Sequence, residues 1–284
     1  MREIGILKIM LVLLADFFWA YFALGTGAAI LLSFGVMFYA WIGEYTALLK
    51  DRAIGLENLN EYEKTRLLRV YECLSEDVRR VSGVDISDLK LHLIPSDNIN
   101  AYAYGFHNMA ITRAALNSCD DTTLCAVLGH EISHILNMDA VLSRMIFANV
   151  TLVMISLIAS SFVSIAFLWI LFIMFCTVGI CGGLFSMIVF HGVNKLVKGT
   201  YTVIQRIVLF IYQTVMGLVS RRNEFRADNY SCQLGYGPQL SYFLTRFAGD
   251  QESRMSSIND ILYASHPAAS KRVMRIEQYY HSLG

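Results

Sequence analysis

A mainly α-helical, membrane-embedded protein is what the sequence predicts, with about four transmembrane helices and a water-exposed α+β part built around a small sheet. Three features predict it. Hydrophobic residues make up 55% of the 284 and charged residues only 16%, against about 25% charged in an ordinary soluble domain. The apolar residues are gathered into long runs at 4–42 and 145–193, with a third at 201–220. Between and after those runs, 44–144 and 221–284 carry charge at the spacing of folded, water-facing helices and strands. The formal net charge is zero, so nothing points to nucleic acid as a partner.

The first run is interrupted by Lys8 and Asp16 and holds Gly25-Thr26-Gly27 near its middle. A hydrocarbon core about 30 Å thick needs roughly 20 helical residues to cross it, so this run suits two crossings with a turn at the glycines. A second apolar stretch follows at once, which favours an anchor over a cleaved leader. Lys8 is expected to reach the membrane surface, and Asp16 to face a polar neighbour inside the bundle. Residues 58–83 repeat as a helix, with Leu67, Leu68, Tyr71 and Leu74 along one side. Residues 89–95 alternate like a strand, and 109–112 read as another. The 145–193 run has no acidic or basic residue apart from His191, and its length suits two crossings. In 201–220, Thr202, Arg206 and Gln213 share a helical face. That helix is free to cross the membrane, lie in its interface or pack on soluble protein. The expected organisation is a membrane hairpin at 1–43, the first half of the water-exposed domain at 44–144, a second hairpin at 145–193 and the second half of the domain at 194–284. His92, His107 and His191 have no partner pattern and read as structural. The six cysteines, Cys73, Cys119, Cys125, Cys176, Cys181 and Cys232, form no C-x-x-C and are expected to be reduced, buried thiols.

Chemistry concentrates at His130-Glu131-Ile132-Ser133-His134. Residues four apart on a helix are neighbours on one face, so both imidazoles can point at one ion. Glu131 lies off that line, within reach of a water held there. Asp120, Asp121 or Thr122 offers the N-cap of this helix, and Leu124, Val127 and Leu128 offer its apolar face. A catalytic metal needs a third protein ligand and an open position. Glu224 is the candidate; Asp228, one turn on, could bond the far nitrogen of a ligand histidine. A solvated face of Arg221, Arg222, Glu224, Arg226 and Asp228 fits the same spacing. If His130 and Glu224 share an ion, the chain between them crosses the membrane an even number of times. Two crossings in 145–193 put Arg2, Lys50, Arg52, Arg144, Lys195, Lys198, Arg221 and Arg222 on one side, predicted to be the cytoplasm. A membrane scaffold or chaperone-like binder with a structural or inactive metal site is the rival reading, though a closed site would call for four ligands. A transporter would need polar residues in several spans.

The stretches HEISHILNMD (130–139) and SRRNEFRAD (220–228) resemble the HtpX-type integral-membrane zinc metallopeptidases, relatives of the CAAX prenyl endopeptidases. INAYAYG (99–105) and SHPAASKRVMRIE (265–277) resemble the family more loosely, and the pieces run in family order. The resemblance implies a zincin-like catalytic domain and one Zn2+ per chain, held by His130, His134 and Glu224, with Glu131 as catalytic base. It further implies that His266 and Arg272 stabilise the oxyanion, and that Asn100, Ala101, Tyr102 and Ala103 form a strand edge receiving polypeptide. The implied activity is endoproteolysis of membrane or misfolded proteins by metal-activated water, from a lipid bilayer expected to be a bacterial inner membrane. Two departures stand out: TRAAL (112–116) where the family has Thr-Gly-Leu-Leu, and an apolar insert at 145–193 longer than the family requires.

Overall fold

The structure is a computed structural model that describes residues 2–177, 183–248 and 267–282. The first apolar run forms two helices, α1 (Arg2–Leu24) and α2 (Thr26–Lys50), which pack on one another. The break is at Gly25, whose φ of +89° is open to glycine at little cost. Ala20 and Ala29 on either side are fully buried, small residues that let the two backbones approach. α2 does not stop at the expected boundary after residue 43. It continues for seven more residues, and Glu44, expected to open the water-exposed domain, is only 2% exposed.

The water-exposed part begins with a two-residue strand, β1 (Ile54–Gly55), and helix α3 (Glu61–Ser82). Asn60 caps α3 by accepting from the backbone N–H of Glu63 at 2.9 Å, and Gly83 ends it at φ +66°. The buried stripe is Leu67, Val70, Leu74 and Val78. Leu68 and Tyr71, expected on that face, are half-buried at its margin, because Tyr71 turns its hydroxyl to the carbonyl of Ile86. Strands β2 (Lys90–Ile94), β3 (Ala101–Ala103) and β4 (Asn108–Thr112) complete a sheet of order β1-β2-β4-β3. β2 and β4 are parallel; among the described residues β3 pairs with β4 alone, antiparallel, and forms an edge. Thr112 caps the short helix α4 (Arg113–Ser118), accepting from Ala115 N–H at 3.2 Å, so the TRAAL segment is a helix start.

Helix α5 (Asp121–Leu136) carries the two histidines and is capped by Asp120, which accepts from Thr123 N–H at 2.8 Å. Its Leu124, Leu128 and Ile132 join Leu67, Leu74, Met109 and Ile111 in one core. After Asn137 the chain turns through Met138, a non-glycine residue at φ +55°, into α6 (Asp139–Thr177).

Helix α7 (Gly183–Gln233) runs unbroken through the segment expected to form a separate helix at 201–220. Lys195 and Lys198, expected in a loop, lie within it; lysine is a good helix former, and a dip in hydropathy is not a break in backbone. At 1.5 Å per residue, a helix of this length is about two and a half times as long as a hydrocarbon core is thick. Among the described residues, four helices are long and apolar enough to cross a membrane, and the molecule is an integral membrane protein. The chain divides into two units, Met1–Ile146 with Met216–Gly284, and Phe147–Val215; the second thus runs past residue 193 because its helix does. Helices α8 (Gly237–Phe243) and α9 (Ala269–His281) close the first unit.

Candidate metal centre

Three elements converge on one point. Gly129 lets α5 come close to its neighbours: a Cβ there would lie 3.0 Å from Leu234 Cδ1. Ser231 of α7 donates to the carbonyl of Ala126 at 2.9 Å. With the end of α7 seated on α5, Asp228 and Glu224, about one and two turns before Ser231, face the two histidines. His130 Nε2 and His134 Nε2 are 3.2 Å apart. Glu224 Oε2 lies 3.4 Å from the first and Glu224 Oε1 3.6 Å from the second. Tetrahedral bonds of about 2.0–2.1 Å place neighbouring donor atoms about 3.3–3.4 Å apart. The imidazole nitrogens match that spacing, the two Glu224 oxygens lie close to it, one towards each histidine, and one donor atom from each of the three residues lies within 4.8 Å of the others, so His130, His134 and Glu224 could hold one ion.

The outer nitrogens are equally determined. His130 Nδ1 is 3.0 Å from Asp228 Oδ1, as expected from the i, i+4 spacing of Glu224 and Asp228. His134 Nδ1 is 2.9 Å from Asp139 Oδ2, a partner that sequence reasoning missed. Each carboxylate is held in turn by an arginine. Arg272 of α9 donates through Nε (2.8 Å) and Nη2 (2.5 Å) to Asp228. Arg226 of α7 donates through Nη2 to both oxygens of Asp139, at 2.8 and 2.6 Å. Such outer partners fix ring orientation and tautomer, so that Nε2 is presented to the ion.

His130 is 6% exposed. Burial disfavours its cation, but hydrogen bonds to Asp228 and Glu224 outweigh it and push the imidazole up to about 10. Arg272 is buried too; burial alone would lower its pKa, and Asp228 more than restores it. Its Nη1 lies 3.2 Å from Glu224 Oε2, so the guanidinium spans the third ligand and the partner of the first. Expected to stabilise an oxyanion, it lines the same cavity as Glu131, with donors on Asp228 and Glu224. His266 lies outside the described residues.

Glu131 is half-buried and lines a cavity of about 1040 Å³ together with His130, His134, Ala101, Ala103 and Phe243. The open edge of β3 forms one wall. Thr112 N–H donates to Asn100 O at 3.0 Å and Tyr104 N–H to Asn108 O at 2.8 Å, so the alternation of an antiparallel ladder turns the main-chain groups of Ala101 and Ala103 away from β4. Of the four strand residues singled out in the sequence, Ala103 offers its N–H and carbonyl to the cavity and Ala101 its carbonyl, the Ala101 N–H being taken by Asn100. Asn100 instead is tied to Thr112 and accepts from Ala101 N–H through Oδ1 at 2.9 Å, and Tyr102 pairs towards Ala110. His92 bonds Asn108 Oδ1 at 2.7 Å, and His107 lies 3.4 Å from Asp88. Cys119, Cys125 and Cys232 are buried free thiols as expected, whereas Cys73 and Cys176 are exposed.

Peptidase family M48 matches residues 68–280 of this chain. Two protease HtpX homologues are similar to it: that of Fusobacterium nucleatum subsp. nucleatum at 25% identity over 213 residues, and that of Listeria monocytogenes serotype 4a at 26% over 208. These alignments cover 66% and 69% of this chain but 62% and 64% of the relatives, so the chain spans less than two thirds of their length. The crystal structure of S. mikatae Ste24p shares the fold, with a TM-score of 0.51 at 20% identity, covering 93% of this chain and 61% of that one.

Proposed function

The chain belongs to peptidase family M48, and from that premise we propose that it is a membrane-anchored, zinc-dependent endopeptidase with His130, His134 and Glu224 as its ligands. The observation that carries the reading is the gathering of two imidazole nitrogens 3.2 Å apart and the Glu224 carboxylate, whose two oxygens lie 3.4 and 3.6 Å from them, on a cavity that also holds Glu131 and an open strand edge. Bound zinc supplies Lewis acidity, enough to bring the pKa of water down to about 7. Glu131 takes a proton from the attacking water as its oxygen adds to the scissile carbonyl carbon. When the C–N bond breaks, Glu131 passes that proton to the departing amine. Arg272 and Arg226 keep the two aspartates, and through them the two imidazoles, in register. The oxyanion role falls to His266 in this reading, and Arg272 becomes a positioning residue.

An extended substrate adds to β3 through the main-chain groups of Ala101 and Ala103. Recognition of main chain is tolerant of sequence, which suits misfolded or membrane proteins as substrates. The basic residues flanking the apolar segments on the metal side, Arg2, Lys50, Arg52, Arg144, Arg221 and Arg222, favour a cytoplasmic site in a bacterial inner membrane; Lys195 and Lys198, within α7, leave that count.

The test compares purified wild type with Glu131→Gln for zinc content and for cleavage of an unfolded protein such as casein. Zinc should stay at one per chain in both, while hydrolysis falls by about 10²–10⁴-fold in the variant. Cleavage by Glu131→Gln at the wild-type rate, or a wild type that takes up no zinc, would overturn the assignment.

A further inference from the structure

Glu44 is the anomaly of the membrane hairpin. It sits in α2, a helix whose neighbours Trp41 and Tyr45 are exposed, yet it is 2% exposed itself. A buried carboxylate is costly unless it is fully hydrogen-bonded. Glu44 accepts from three successive backbone N–H groups, Phe106 at 3.2 Å through Oε2, and His107 at 3.2 Å and Asn108 at 3.1 Å through Oε1. It accepts also from Asn108 Nδ2 at 2.6 Å. Consecutive amides converging on one anion form a nest, and here the anion is supplied by the protein.

That nest is the turn joining β3 to β4. Gly105 makes it possible: its φ is +140°, and a Cβ there would lie 2.9 Å from Glu44 Oε2. Two further ties hold the same turn. Arg144 Nη1 donates to the carbonyl of Tyr104 at 2.9 Å, its side chain lying against Gly43, where a Cβ would meet Arg144 Cδ at 2.8 Å. Tyr104 Oη donates to Asp51 Oδ2 at 2.5 Å. β3 itself is three residues long and paired on one side only, so β4 and this turn set where its open edge stands.

We propose that Glu44 is a positioning residue for the substrate strand: a carboxylate on a membrane helix that fixes the β3–β4 turn and thereby holds the Ala101–Ala103 edge at the height the cavity requires. The role of that edge rests on the peptidase reading; the grip on the turn does not. The inference ties an element that serves as anchor to the binding step of the reaction. Loss of the grip should therefore weaken capture of an extended chain and leave the ligands and Glu131 untouched.

The experiment uses the full chain, zinc-loaded and solubilised, as wild type and Glu44→Gln. Hydrogen exchange read by mass spectrometry should quicken about tenfold at 106–108 in the variant, since charge-assisted bonds to those amides are lost, with 121–136 unchanged. KM for an unstructured peptide should rise about tenfold, on the scale of one charged hydrogen bond, with kcat within about twofold and zinc content constant. Unchanged exchange and unchanged KM would overturn the proposal, and so would a joint fall of zinc content, kcat and thermal midpoint, the mark of a general structural role. If wild type cleaves nothing while exchange at 106–108 still responds, the peptidase reading fails and the grip on the turn stands. Should Glu44→Gln not fold, Tyr104→Phe, which frees the tie to Asp51, carries the same two measurements.

Discussion

In the unit formed by Met1–Ile146 and Met216–Gly284, polar side chains reach far along the sequence. Arg66 donates to the carbonyls of Leu116 and Cys119, Arg272 grips Asp228 from 44 residues away, and Arg226 grips Asp139 from 87. In the Phe147–Val215 unit the hydroxyls mostly turn back on their own helix: Thr151 donates to Phe147 O, Ser161 to Ile158 O, Thr200 to Leu196 O. Ser164 and Tyr201 meet between helices at 3.2 Å, and rings meet there too, the Phe190 centroid lying 4.7 Å from that of Trp169 and 4.6 Å from that of Phe172. Both units are rich in apolar residues, but they are specified differently. Where water is the solvent, burial drives packing and each buried polar group needs its partner. Where lipid is the solvent, one apolar side chain replaces another with little change in driving force.

Core truncation should break that comparison most sharply. Leu128→Ala, at a fully buried position, should cost about 2–5 kcal/mol. Val163→Ala, at a position 69% exposed on α6, should stay within about 0.5 kcal/mol; thermal unfolding of the solubilised protein reads both. Next comes the outer partner of His134. Asp139→Asn should weaken zinc binding by about 10–100-fold in a chelator competition, while Ser164→Ala leaves it unchanged. Equal affinity in the two variants would mean that Asp139 does not orient the imidazole. The smallest effect is chemical. Burial pushes the thiols of Cys119 and Cys125 up to about 11 and about 12, so a maleimide at pH 7 should label the exposed Cys73 in the native protein and spare those two until it unfolds. Peptide mapping by mass spectrometry gives the answer.

Much of this was written locally in the chain. The caps of α3 and α5, the alternation of β2, and the i, i+4 pairs of His130 with His134 and of Glu224 with Asp228 all depend on residues a few positions apart, and periodicity exposes such patterns. What stayed hidden depends on approach through space. Asp139 meets His134 only because Met138 takes a left-handed turn between two helices, a conformation its side chain gives no reason to expect. Arg226 looked like one charge among several beside a membrane helix. Glu44 looked like the first residue of a solvated domain because its donors are backbone amides, which no sequence pattern displays. The strand β1 is two residues long, too short to alternate. The continuity of α7 through its lysines was missed for the opposite reason: hydropathy reports solvent, and the backbone ignored the change.

Gly5 has a consequence of its own. A Cβ at that position would lie 2.9 Å from both the carbonyl carbon and the oxygen of Asn137 and 3.1 Å from Met138 Cγ, so the first helix is pressed without clearance against the corner where α5 hands over to α6. Met138, 8% exposed, fills that seat with its side chain, which offsets the backbone cost of its conformation. The corner in turn aims Asp139 at His134. The tether and the histidine-bearing machinery are thus cut from one piece: the leading helix is a wall of the casing that keeps an imidazole aligned, and detaching it would leave no self-sufficient module behind.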